Sequence, residues 1–145
     1  MQDAEPIIAA LGLSAHPEGG HYLETWRAQA APGERPCGTA IYYLLRADER
    51  SRWHRVDAAE VWHFYAGDPL TLWIAPGSGG EPAQRHVLGS AIEAGQRPQI
   101  IVPAGDWQSA ATTGCWTLVG CTVSPGFRFE GFELAEPGWE PGRCP

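Results

Sequence analysis

Hydrophobic positions along this chain fall mostly into short runs separated by turn residues. The opening segment is the exception. Ile7, Ile8 and Leu11 recur at helical spacing, and Pro6 sits where a first turn tolerates proline. That predicts one short N-terminal helix. From "GGHYLETW" onward the pattern reads as strands: "GTAIYYLLR" is a continuous apolar run, "RWHRV" and "EVWHFYAG" follow closely, and "PLTLWIAP" alternates. "QRHVLG", "RPQIIVPAG", "WQSAAT", "CWTLVGCTVSPG" and "FRFEGFELA" continue the series. Short strands at this interval, with Gly and Pro between them, predict an all-β antiparallel sandwich or barrel. The long alternating strands of a lipocalin barrel are missing, so a jelly-roll barrel is expected.

Composition narrows the classes. The 145 residues suit one domain, and residues 1–145 are read as a single unit. A chain of this size buries roughly 70% of its unfolded surface. Seven Trp, four Tyr and four Phe are enough for a core and for a pocket besides. The net charge of −7 argues against partners bound by counterion release, so neither nucleic acid nor an anionic membrane is expected. "MQDAEPIIAALGL" has acidic flanks and a short apolar run, unlike a secretion signal or a membrane span. Cys37, Cys115, Cys121 and Cys144 form no CxxC pair. Cys115 and Cys121 share one expected strand, ~20 Å apart at ~3.3 Å per residue, too far to bridge. A reduced, cytoplasmic protein is the expectation.

Candidate chemistry concentrates in "HRVDAAEVWHFYAG", His54 to Gly67, where a histidine precedes a glutamate, Glu60. A second stretch, "PAGDWQSAAT", supplies Pro103, Gly105, Gln108 and Thr112. These frames resemble the two motifs of cupins, G-x5-H-x-H-x3,4-E-x6-G and P-x-G-x2-H-x3-N. The departures are specific. Val56 stands where the middle histidine belongs, Gln108 where the last histidine belongs and Thr112 at the asparagine. The first glycine is also missing at its distance from His54.

A closer resemblance spans nearly the whole chain. "HPEGGHYLETWR", "TAIYYLL", "HRVDAAEVWHFYAGDPL", "PQIIVPAGDWQSA" and "LVGCTVSPGFRFEGFELA" are similar to the blocks of one family of short, stand-alone cupins. That family is a domain of unknown function grouped with the dTDP-sugar epimerase-like cupins. The resemblance implies a jelly-roll cupin barrel, dimeric as many cupins are, and no established reaction.

A cupin metal normally rests on three histidines and a carboxylate. His54 and Glu60 remain here, Val56 cannot ligate, and Gln108 is a weak neutral ligand. No cofactor is expected, with His54, Glu60 and Gln108 as the fallback set for a weakly held divalent metal. His63 joins that set only if a bulge near Glu60 turns it, because alternation puts Glu60, Trp62 and Phe64 on one face and His63 on the other. Without a metal, a carboxylate beside an imidazole makes a general base near neutral pH. His54 is then the base, Glu60 its orienter, and Gln108 the group that positions a substrate oxygen. Trp62, Phe64, Trp107 and His63 are candidate walls of a pocket of about 300–1,000 Å³.

Other signals carry less. Glu18 in "HPEGGHY" reads as part of a turn whose carboxylate reaches, at most, a partner's pocket. Glu24 and Arg27, at i and i+3 of one strand, should face opposite ways. His16, His21 and His86 lack ligand spacing. "GSGG" is no phosphate loop, and there is no G-x-S-x-G elbow. Three readings stay open on one small polar ligand: proton transfer of epimerase, isomerase or lyase type, ligand binding without catalysis, and metal-dependent oxygenase chemistry. A homodimer is expected through the unpaired edge at "GGHYLETW".

Overall fold

The computed structural model describes residues 3–143, and Cys144 lies outside them. Helix α1 (Glu5–Leu11) carries Pro6 in its first turn and ends on Gly12 in the left-handed conformation. Two antiparallel sheets follow. The larger runs in the order β1 (Ser14–Ala15), β2 (His21–Arg27), β3 (Thr39–Arg46), β10 (Trp116–Ser124), β5 (Ala59–Gly67), β8 (Gln99–Val102). The smaller runs β11 (Phe132–Leu134), β4 (Ser51–Val56), β9 (Trp107–Thr112), β6 (Leu70–Ala75), β7 (Gln84–Leu88).

The expected closed barrel is not formed: the two sheets stay open and pack face to face. Closure needs a continuous backbone ladder around the rim. Among the described residues, β7 approaches the β8 side through one isolated bridge, Leu88 to Arg97, and the opposite rim ends in β1 and β11. Strands of two and three residues are too short to carry a ladder across. The structure is an open two-sheet sandwich with a short N-terminal helix.

Strand alternation places the core. Tyr43, Leu45, Trp62, Leu70, Leu72, Val102 and Val119 meet between the sheets. The other face of β3 and β10 is covered in part by α1, whose Ile7, Ile8 and Leu11 pack on Leu44 and Trp116. Cover on both faces explains why "GTAIYYLLR" reads as an unbroken apolar run. At one end of the sandwich Val56, Ala58 and Val123 form a smaller cluster with Phe127 and Phe132.

Two of the register shifts bear on expected facing, and one of them reverses it. The first, between Glu24 and Trp26 of β2, turns Glu24 and Arg27 to the same side, where they form a bidentate ion pair at 2.7 and 3.0 Å. The second lies beyond His63, where Ala66 and Phe64 of β5 meet consecutive residues of β10. His63 therefore keeps the outer face. The "GGHYLETW" edge is also not wholly free, since β1 pairs with His21 and Tyr22. Cys37, Cys115 and Cys121 are free thiols. No helix among the described residues is long and apolar enough to cross a membrane.

Candidate functional site

His54 sits on the inner face of β4, directly across the ladder from Gln108 on β9. Glu60 reaches toward both from β5 of the opposite sheet. Gln108 donates its amide N–H to Glu60 Oε1 at 2.9 Å and accepts from the Trp62 indole N–H at 2.8 Å. Because an indole only donates, this chain fixes which end of the Gln108 amide faces Glu60. Cys121 lines the same cavity as Glu60.

The decisive partner of His54 is Glu18. Its carboxylate Oε2 lies 2.8 Å from His54 Nδ1, which is also 2.7 Å from the Arg52 carbonyl oxygen. Both neighbours accept, so Nδ1 carries a proton shared between them. The Ser51 hydroxyl donates to the same Glu18 oxygen. Glu18 thus serves its own chain's imidazole and not a partner's pocket. Spacing carried no sign of it, because 36 residues separate the two in sequence. The one available signal was "PEGG": Gly19 has φ +112°, and a Cβ there would stand 2.0 Å from the Arg50 carbonyl oxygen. Only glycine lets this loop pass so close to β4. Backbone bonds from Arg52 N–H to the Glu18 carbonyl and from His16 N–H to the Gly20 carbonyl secure it.

Electrostatics follow from burial. His54 is raised to about 9: burial pushes it down, but the Glu18 charge and hydrogen bond, the Glu60 charge and the Arg52 carbonyl outweigh that. Glu60 is raised to about 7 by burial and by Glu18, against the opposing pull of His54, Gln108 and Cys121. Glu18 is lowered, since His54, His16 and Ser51 together overcome its burial. His16 is lowered by burial, and its Nδ1 accepts the Glu18 backbone N–H at 3.0 Å. At neutral pH His54 is therefore an imidazolium, and Glu60 is poised between its two forms.

These groups line a narrow cavity of about 50 Å³ between the sheets. That is well below the roughly 300–1,000 Å³ expected, because Trp62 and the β10 side chains fill the interior. His16, Glu18, His54, Glu60 and Cys121 form its polar end, and Phe127, Phe129 and Phe132 its mouth. Val56 also faces it, presenting hydrocarbon at the missing-histidine position. Gln108 and Trp62 stand behind Glu60 instead of on the wall, and Phe64 packs into the main core. Trp107 lies elsewhere, stacked between Arg55 and Trp139. His63 bonds Thr122 Oγ1 at 3.0 Å on the outer face.

A scan against family models matches residues 5–135 to the Cupin superfamily (DUF985). The chain belongs to this cupin family. A solved protein from Shewanella oneidensis is 40% identical over 94% of this cupin and 86% of that chain, with a TM-score of 0.87. A hypothetical protein from Leishmania major is 30% identical over 95% and 90%, with a TM-score of 0.85. Oxalate decarboxylase from Bacillus subtilis is 11% identical over 83% of this chain and 29% of that one, with a TM-score of 0.63, a likeness of fold alone. No curated protein matches.

The donor set of this cupin does not fit a three-histidine metal site. Val56 offers no donor, and both ends of the Gln108 amide are engaged, so of the three histidine positions only His54 presents an imidazole. Among the described residues no group of three or more His, Cys, Asp or Glu is arranged to hold a metal ion.

Proposed function

We propose that this cupin transfers a proton on a small, uncharged carbonyl compound, with Glu60 as the base and the His54 imidazolium as the donor to the carbonyl oxygen. The observation that carries the reading is the pairing of a carboxyl raised to about 7 with an imidazole raised to about 9 in one cavity. Both groups are raised, so between pH about 7 and about 9 an ionised carboxylate and a protonated imidazole face one cavity, the pair that general base and general acid roles require. Glu60 takes the proton α to the carbonyl, the C–H electron pair moves into the enolate, and His54 stabilises the oxygen that gains charge. Return of the proton to carbon completes an isomerisation or epimerisation.

Glu18, and not Glu60, is the orienter in this scheme, because a histidine already protonated at pH 7 does not serve as the base. The lining supports an uncharged substrate: it includes Glu18, Glu24 and Glu60 but no lysine or arginine. A cavity of about 50 Å³ admits only a small polar group, leaving an apolar body against Phe127, Phe129 and Phe132.

The test is solvent deuterium uptake at the α-carbon of a panel of small α-hydroxy ketones and aldehydes in D2O, followed by proton NMR. A phosphorylated ketose serves as the anionic control. Uptake on an uncharged compound is expected, absent from the control and slowed at least ~100-fold in Glu60→Gln. Binding of a panel compound without uptake would instead establish a ligand-binding cupin.

A further inference from the structure

A second cleft opens along the rim where β7 and β8 fail to join. Its volume is about 580 Å³, an order of magnitude above that of the cavity at Glu60, and the two share no lining residue. One side is residues 85–87 on the edge of β7, and the other is residues 94–97 with Ile100 of β8.

The two sites have opposite electrostatic character. Glu18, Glu24 and Glu60 line the cavity without an arginine, whereas Arg85 and Arg97 line the cleft without an aspartate or glutamate. That is unexpected in a chain of net charge −7. Other arginines meet carboxylates, as Arg35 meets Asp57 at 2.7 Å and Arg55 meets Glu133 at 2.6 Å. Among the described residues neither Arg85 nor Arg97 forms an ion pair. Arg97 is oriented by backbone instead. Its Nη1 donates to the carbonyls of Ile92 and Gln96 at 3.3 and 2.8 Å, leaving its other nitrogens for a further acceptor. Its main chain is tied to β7 on both sides, N–H to the Val87 carbonyl and C=O to the Gly89 N–H.

The remaining polar groups also donate. Gln96 spends its amide oxygen on the Ala91 N–H at 3.1 Å, so its NH2 group is what it has left to offer. His86 faces inward, across the ladder from buried Leu72, and adds an imidazole N–H. Val87 and Ile100 supply apolar wall.

We propose that this cleft binds a small organic phosphate monoester, with the phosphoryl group between Arg85 and Arg97 and the body against Val87 and Ile100. Such a group carries about −1.5 to −2 charge at pH 7 and three strong acceptor oxygens. Two guanidiniums with added N–H donors match that, and a single carboxylate would leave one guanidinium unmatched. The volume falls within the roughly 300–1,000 Å³ of small-molecule sites. The cleft thus accepts an anion that the carboxylate-lined cavity repels.

Calorimetric titration of the full chain with phenyl phosphate tests this. One saturable site is expected, at least ~5-fold weaker in about 500 mM salt than in about 50 mM, because both arginines are exposed. Phenol and benzoate should bind at least ~10-fold more weakly. Arg85→Ala and Arg97→Ala should each cost at least ~10-fold in affinity. Arg85 makes no side-chain hydrogen bond among the described residues, so its variant reads the site even where Arg97→Ala disturbs the loop. Arg143→Ala, in an exposed pair with Glu140, should change nothing, and neither should Glu60→Gln. A parent that does not bind overturns the proposal, as does affinity untouched by Arg85→Ala. Binding lost in Glu60→Gln would place the ligand in the cavity and overturn it too. Benzoate bound as tightly as phenyl phosphate would overturn the choice of a dianion.

Discussion

Placing a carboxylate on either side of one imidazole separates the proton affinities of three buried groups. Glu18 goes down, His54 up to about 9 and Glu60 up to about 7. The proton-transfer scheme then requires ionised Glu60 and protonated His54 together, so the deuterium-uptake rate should be bell-shaped in pH. It should rise through about 7 and fall through about 9. Glu18→Gln removes the charge that holds His54 up and part of what holds Glu60 up, so both limbs should move to lower pH. An alkaline limb left at about 9 would show that Glu18 does not sustain the imidazolium. His54 and Glu60 were legible in the sequence because cupin spacing marks them. The carboxylate in contact with His54 was not, since Glu18 arrives from a loop with no periodicity to reveal it.

At the scale of single elements, the His16–Gly20 loop sets the site. Gly19 passes so near the Arg50 carbonyl that a Cβ would stand 2.0 Å from its oxygen, so Gly19→Ala must shift the loop and withdraw Glu18 from His54. Gly12, the cap of α1, has φ +68° and open space for 4 Å around the position of a Cβ, so its alanine variant bears only the left-handed backbone cost. Urea denaturation should show Gly12→Ala losing about 1 kcal/mol and Gly19→Ala at least about 2 kcal/mol. Equal losses would mean that the approach to Arg50 relaxes freely. Strand identities were readable from alternation, and β3 from its doubly apolar run. The pairing of Glu24 with Arg27 was not, because a bulge inserts Thr25 and reverses the facing that counting predicts.

For the whole molecule, the same protons set stability against pH. The folded chain keeps a proton on Glu60 between 4.5 and about 7, where the unfolded chain has lost it, and on His54 between 6.5 and about 9. Stability therefore falls as pH rises through both windows, by on the order of 3 kcal/mol for each group. Glu18, lowered from 4.5, acts oppositely and costs stability only in more acid solution. Thermal denaturation should find the highest midpoint near pH ~5 and a decline toward pH ~9. Glu60→Gln should flatten the decline below pH ~7, and an unchanged profile would place the linkage elsewhere. The open sandwich was the part of the architecture least visible beforehand. Strand number and alternation are the same for a closed and an open pair of sheets. Closure depends on whether rim strands as short as β1 and β11 can carry a ladder.

Strand β10 is paired along both edges, and it floors the cavity with Cys121 and Val123. The rim is made of slighter parts: the Glu18 loop, the turn Phe129–Gly131 and the three residues of β11. Floor and rim therefore belong to different cooperative units. Hydrogen exchange should show the rim amides opening at a fraction of the free energy of global unfolding and those of β10 only with it. On the proposed function, a molecule seated beside Glu60 should then leave at the rate at which the rim unlatches, and not at a rate set by its polar contacts alone.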